Sequence, residues 1–464
     1  RTNCGTVTLG DSGDTFTIPA GATITNNGTQ TGFGREGSVD WQTGSIKTAA
    51  TFTAVSGEGY FVDTSSNTIT ANLPAGTAGA IVAFSDYARN FETNGLTITP
   101  NGSQKIAGTA NSATLGTNGQ ASTFVYVDDT KGWINVQNAE DTETGATFVT
   151  ATGGTVLTCG NFKTHVFTGP GTFCVSCAGS VAGSNSVDYF VVAGGGSGGW
   201  TDYGGGGGAG GFRVSNGLGL PAPTMSPLTA PNSPTPASLP VSATGIPVTV
   251  GAGAGNPGAP GVGSQGSSSI FSTITSAGGG GGGNSTNQVG QNGGSGGGGM
   301  GAPPSAPNAA GFPGGSGNTP SQSPPQGNPG GSGFDGVSTN TQSGSGGGAG
   351  AAGGDAGSGS SAPGGIGSFI SNSFIGPTAP LYGEGGPVSN VRYFAGGGAG
   401  AADQPNSTPY AGGVGGGGLG GNPSTPSSDR PGATNTGGGA GAGSNPAKNN
   451  NGGSGIVMIR YKFQ

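Results

Sequence analysis

Val187 to Gly199 reads VDYFVVAGGGSGG, and Gly452 to Phe463 reads GGSGIVMIRYKF. In the first stretch an uninterrupted apolar run passes directly into glycine. In the second, glycine passes directly into an apolar run. Short apolar runs without alternation are the mark of strands covered on both faces. Phe190 to Val192 and Ile456 to Tyr461 are therefore expected to pair in one sheet and to frame everything between them.

What lies between is dominated by glycine. Of the 109 Gly in 464 residues, 27 precede Gly194 and 82 lie from there onward. A run such as Gly278 to Gly283 loses maximal backbone entropy on ordering and has no side chains to bury in return. Helix is disfavoured by about 1 kcal/mol per Gly. A left-handed extended helix with about three residues per turn makes no internal hydrogen bonds, so its N–H and C=O groups point outward. Bare glycine backbones approach closely enough for neighbouring helices to satisfy one another. Collagen is excluded because Gly does not recur strictly every third residue. Stacked polyglycine II-type helices are the arrangement that pairs every buried amide.

Charge divides the chain at the same place. Only 7% of residues are charged and the net charge is −7. From Gly194 on, six acids (Asp202, Asp335, Asp355, Glu384, Asp403, Asp429) meet six bases (Arg213, Arg392, Arg430, Lys448, Arg460, Lys462). The whole net charge sits in the first part, which gives no attraction for nucleic acid or an anionic membrane. Disorder by composition needs high net charge, and the glycine-rich part lacks it, so that part is expected to fold. No apolar run is long enough to span a bilayer, and no signal peptide is visible. Arg1 is not a translation start, which points to a processed chain or an excerpt.

The first part is β-rich. Residues 1–48 read as an N-terminal β module, with period-two patterning in Thr15 to Ile18 and Ala22 to Thr25. Residues 49–140 read as a small sandwich or barrel of seven strands: ATFTAV, GYFVD, TITANLP, AIVAFSDY, LTITP, STFVYVD and GWINVQ. Turn signals stand at Asn94-Gly95, Asn101-Gly102, Asn118-Gly119 and Asp128 to Gly132. Asp128 and Asp129 fit turn formation better than a Ca²⁺ site. Residues 141–160 read as a linker, and 161–464 as the glycine-rich domain, with a Pro/Ser-rich insertion at 221–240. HVFTGPGTFCVS (165–176) reads as a hairpin turning at Gly-Pro-Gly.

Two resemblances follow from these residues. TFTAVSGEGYFVDTSSNTITANLPAG, AIVAFSDYARNFETNGLTITPNGS and FVYVDDTKGW resemble the β modules of phage tail fibres. That implies a shaft or attachment role, often as a homotrimer. The opening HVFTGPGTF…VDYFVVAGGG and the closing GGSGIVMIRYKF resemble the glycine-rich domain of distal adhesins of T-even-like phages. The similarity implies packed polyglycine helices and receptor binding by loops at one tip. The expected fold class is thus all-β: sandwich-like modules followed by polyglycine II-type helices framed by strands. The expected place is the virion, where the partners would be a host cell-surface receptor (an outer-membrane protein or a glycan) and other tail proteins.

Candidate chemistry is sparse. Cys159, His165, Cys174 and Cys177 could form a Zn²⁺ site, but only one C-x-x-C pair exists. Cys174 and Cys177 would also project to opposite faces of a strand. Packed free thiols, or a Cys159–Cys174 disulfide, remain alternatives. No Gly-rich motif opens a helix in a nucleotide-binding context, and His165 is the only His available to a triad. No paired carboxylates suggest a glycan depolymerase. The reading is therefore no enzyme, no cofactor and a binding surface. Large side chains interrupting the glycine runs are the candidates for receptor contact: Trp200, Asp202, Tyr203, Tyr382, Glu384, Arg392 and Tyr410. For Tyr393 and Phe394, capping the glycine layers is the better reading. The competing functions are a structural virion fibre or decoration protein, a glycan-degrading spike, and a springtail-type ice-binding protein. The last expects regular Gly-x-x triplets and a flat Thr face, which the sequence lacks.

Overall fold

The computed structural model describes residues 39–137, 147–180, 183–201, 203–220, 237–258, 261–302, 311–334, 342–357, 362–402, 410–421, 430–443 and 449–464, with isolated positions before Val39. The chain forms two compact units, the first comprising residues up to Ala110 and Leu115–Asn138, the second Asn111–Thr114 and Ala139–Gln464.

In the first unit the strands are β1 (Asp40–Trp41), β2 (Thr51–Thr53), β3 (Glu58–Val62), β4 (Ile69–Asn72), β5 (Ile81–Asp86), β6 (Leu96–Thr99), β7 (Ala113–Leu115), β8 (Ala121–Asp128) and β9 (Gly132–Asn135). All seven expected strands are present, and β7 adds an eighth within 49–140. The pairing differs from the expectation. One sheet runs β1-β3-β5-β8-β9 and the other β2-β4-β6-β7. β1 to β3 to β5 and β2 to β4 to β6 are parallel. From β1 to β6 the chain alternates between the two sheets, so Asn94-Gly95, between β5 and β6, does not join paired neighbours. The turn Asp128 to Gly132 closes the hairpin between β8 and β9, and Asn101-Gly102 stands in the longer connection between the paired neighbours β6 and β7. Asp128 Oδ1 accepts from the N–H groups of Thr130 (2.9 Å) and Lys131 (2.7 Å), as a turn former does. Phe52 of β2 packs edge-on against Tyr60 of β3 and Phe84 of β5, which fastens sheet to sheet. β1 joins this sheet, so position 48 is no module boundary; most of 1–38 lies outside the described residues.

The second unit is built on β10 (Val149–Thr152), β11 (Thr155–Cys159), β12 (Phe162–Phe167), β13 (Gly171–Ala178), β14 (Ser186–Val192), β15 (Phe212–Val214), β16 (Leu239–Pro240), β17 (Gly245–Thr249), β18 (Ser269–Phe271), β19 (Ile274–Ser276), β20 (Ser368–Ser371), β21 (Val391–Phe394) and β22 (Ile456–Lys462). One helical turn, α1 (Asn372–Ile375), follows β20. The described part of the expected linker is thus strand: β10 and β11 belong to this unit's sheets. The two framing strands do pair. β14 and β22 are antiparallel from Asp188↔Arg460 to Val192↔Ile456, at the centre of the sheet β11-β12-β22-β14-β15.

The apolar runs are explained by two cores, one on each face of that sheet. Phe190, Val192, Ile456 and Met458 pack with Phe212, Phe374 and Phe394. Tyr189, Val191, Val457, Ile459 and Tyr461 pack with Phe173, Val248 and Phe271. Each large apolar side chain so buried contributes about 1.5–3 kcal/mol. The Gly-Pro-Gly turn carries the chain between layers instead of closing a hairpin. β12 pairs with β11 and β22, whereas β13 pairs with β10 and β17.

Beyond the strands the glycine segments are extended and lie outside any sheet, and their hydrogen bonds repeat every three residues. From Gly195 to Trp200 the successive N–H groups donate to Gly453, Gly208, Ser264, Asn450, Gly205 and Gly261. Residues i and i+3 thus address the same neighbouring segment, while i+1 and i+2 address two others. That is the pattern of a three-residue helix. The segment 204–211 is enclosed completely. From Gly205 on, its N–H groups bond the segments 277–283, 344–347 and 437–440, and the carbonyls of 204–209 accept from 196–199, 295–298 and 398–401. Ala209 is the one side chain in this pass, and none fits at its glycine positions. A Cβ at Gly205 would stand 2.0 Å from the Gly298 oxygen, and one at Gly207 would stand 2.2 Å from the Gly196 oxygen.

Candidate functional site

The direction of each glycine pass follows from which bonds rise and fall together. Segment 194–200 leaves β14, and 203–211 returns antiparallel to β15, since Gly196 bonds Gly208 and Gly199 bonds Gly205. Segment 277–283 leaves β19, 395–402 leaves β21, and 449–455 returns to β22. One end of the bundle is therefore the strand end, where the two cores sit. At the other, the open end, the passes turn over.

Residues flanking those turns bond one another across the open end. Trp200 N–H donates to Gly261 (3.3 Å), Gly301 to Tyr203 (3.2 Å), Phe334 to Gln342 (3.0 Å), Ser343 to Ala401 (3.2 Å) and Ala402 to Gly421 (2.9 Å). Gly420 donates to Tyr410 (2.9 Å), and Trp200 forms a β-bridge with Gly443. The described residues Ala302, Phe334, Gln342, Ala402, Tyr410, Gly421 and Gly443 stand at this end.

Three candidates, Trp200, Tyr203 and Tyr410, are brought to this open end, each half-buried. Asp202 lies outside the described residues. Phe334 and Val289 stand here too; they were not singled out in the sequence, where nothing distinguishes them from core residues. Val289 is 42% exposed. The layer beneath holds buried polar atoms with no protein partner: Asn284 Nδ2, Gln342 Oε1, Ser343 Oγ, and both amide atoms of Asn450. Such atoms have bonding capacity that ordered water commonly fills.

The other three candidates stand at the strand end, and their polar groups hold the protein itself. Arg392 clamps the 380–384 segment, donating from Nε to the Tyr382 carbonyl (2.7 Å) and from Nη2 to those of Gly383 (2.7 Å) and Pro380 (3.3 Å). Glu384 Oε2 accepts from Gly415 N–H (2.7 Å) and Gly416 N–H (2.8 Å). These two glycines have φ of 109° and 92°, a left-handed turn that aims both N–H groups at the carboxylate. Tyr382 packs on the core around Phe190. Tyr393 and Phe394 are buried as expected, with Phe394 edge-on to Phe190 at 4.8 Å. The most exposed apolar side chain of this end is Leu381, at 78%.

The cysteine–histidine set is not assembled. Both ring nitrogens of buried His165 are engaged, Nδ1 with the Gly153 carbonyl (2.6 Å) and Nε2 with the Tyr461 hydroxyl (3.0 Å). Burial pushes its pKa below the ordinary imidazole value. Among the described residues no three potential ligands gather. Cys159, Cys174 and Cys177 are free thiols, which removes the Cys159–Cys174 disulfide. Cys174 and Cys177 are both exposed, against the expectation of opposite faces. The register slips between Thr150↔Cys177 and Ala151↔Val175, so Ser176 is an extra residue and a bulge turns both thiols outward.

The sequence insertion is anchored by one buried carboxylate, which sequence reasoning placed only as part of a framing strand. Asp188 accepts from Ser215 Oγ (3.0 Å), Gly217 N–H (2.9 Å), Leu218 N–H (3.2 Å) and Ser238 Oγ (2.7 Å). Both feet of the Pro/Ser-rich segment are thereby held at the strand end; residues 221–236 lie outside the described set.

A family model described as a glycine-rich domain matches residues 168–462. The chain belongs to this glycine-rich domain family. The matched region opens at the Gly-Pro-Gly crossing and closes on β22, so it spans both framing strands and the bundle between them. A comparison with curated proteins found no match.

Proposed function

We propose that this chain is a bacteriophage virion protein, a distal tail-fibre adhesin that binds a host cell-surface receptor through the open end of its glycine bundle. The observation that carries the reading is the gathering of described pass ends, bonded to one another, at one end of the bundle. Passes built largely of glycine with small side chains favour the pass ends as the places where exposed aromatic residues stand. Trp200, Tyr203 and Tyr410 stand there, and half-buried aromatics on rigid supports suit sugar faces or protein pockets. The reading involves no catalysis, no cofactor, no nucleic acid and no membrane insertion. Its partners are an outer-membrane protein or a glycan of the host, other tail proteins, and further copies of the chain in a homotrimer.

The test is binding of the labelled full chain to a panel of bacterial strains. Saturable binding to a few strains, lost in Trp200→Ala or Tyr410→Ala and kept in Tyr382→Ala, is the expected result. Folded chain that binds no strain would favour a structural virion fibre or decoration protein. That reading draws on the same bundle and needs no receptor contact.

A further inference from the structure

Cys174 and Cys177 stand on the outer face of β13, and the bulge at Ser176 fixes how far apart they are. Their partners on β10 are Thr152 and Thr150, two positions apart on that strand. Alternate residues of a strand are about 6.4–6.8 Å apart and point to the same face. The two thiols therefore rise side by side, one strand repeat apart, although three positions separate them in sequence. Without the extra residue, Cys177 would face the core with Phe173 and Val175. Ser176 Oγ donates to the Thr150 carbonyl (3.2 Å), which ties the bulge to β10.

We propose that this pair is a binding site for a soft monovalent cation of the Cu(I) or Ag(I) type, held in line between the two sulfurs. The site is independent of the receptor reading above. The spacing argues against a disulfide, which needs Cβ atoms about 3.5–4.5 Å apart. Metal–thiolate bonds are about 2.3 Å long, so a cation held in line sets the sulfurs about 4.6 Å apart. Thiols one strand repeat apart reach that separation by leaning towards each other. The surroundings select the metal. β10, β13 and β17 carry no Asp, Glu, His, Lys or Arg, so a cation that needs carboxylate or imidazole finds no further ligand there. Thiolates alone select soft ions. Cys174 lies between exposed Thr152 and Gly245, and the glycine leaves room beside the sulfur. On binding, each S–H bond gives way to a sulfur–metal bond, both protons pass to solvent and no electron is transferred.

The experiment titrates silver nitrate, in chloride-free buffer, into the reduced full chain carrying Cys4→Ser and Cys159→Ser, which leaves these two thiols. Native mass spectrometry counts the bound ions. One Ag(I) per chain is expected, with both thiols protected together from alkylation. Cys174→Ser in that background is expected to bind at least about a hundredfold more weakly, because it loses a second sulfur acting at high effective concentration. Both positions are exposed, and unchanged circular dichroism shows that the variant is folded. Two ions per chain, independent protection of the two thiols, or a Cys174→Ser variant that binds as tightly as its parent overturns the proposal.

Discussion

Asp188 and Arg460 lie directly opposite one another on the paired strands β14 and β22, and form an ion pair at 3.5 Å with exposures of 0% and 2%. Arg460 also stacks on Phe162 at 3.6 Å. Asp188→Ala leaves the guanidinium buried without its carboxylate and releases both feet of the insertion. The expected loss is about 3–5 kcal/mol, measured by denaturant unfolding. A double replacement, Asp188→Leu with Arg460→Met, is expected to lose less than the single one.

Gly207→Ala places a methyl 2.2 Å from the Gly196 oxygen in the enclosed pass. Overpacking of this kind costs about 1–3 kcal/mol or more. Gly255→Ala is the control, because nothing lies within 4 Å of its added carbon. That variant is expected to melt at or slightly above the wild-type temperature.

His165 makes stability fall on acidification. Its folded pKa is depressed from the ordinary 6.5 by burial, so the unfolded chain binds the proton more readily. The neutral-ring contribution is complete above that value. It diminishes as pH drops below 6.5 towards the lower folded value. Melting followed from pH 7.5 down to about 5 should therefore show a steeper decline for the wild type than for His165→Asn.

Cys174 and Cys177 are expected to react with a thiol reagent in the native chain, whereas half-buried Cys159 reacts more slowly. Mass spectrometry after brief alkylation checks this. Equal slow labelling at all three would contradict the outward-turning bulge at Ser176.

Much of the fold was legible because it depends on local chemistry. The apolar runs at Phe190 and Ile456 signalled strands covered on both faces, and bare glycine signalled close-packed extended helices. What stayed hidden depended on partners far away in sequence. Asn94-Gly95 and Asn118-Gly119 mark a reversal but do not say which sheet receives the next strand. The positions of Trp200 and Tyr382 at opposite ends depend on how many passes separate them. Cys177 turns outward because of one slipped residue in β10's pairing.

The three-residue repeat of the bundle imposes a reading frame of its own. One residue inserted within a pass such as 204–211 turns every later N–H by about 120°, a third of a turn, and aims it at the wrong neighbour. Length there can change only in threes, whereas a turn at the open end can lengthen by any number. Sequence drift in such a protein is therefore channelled: indels that are ruinous along the passes cost little at the open end.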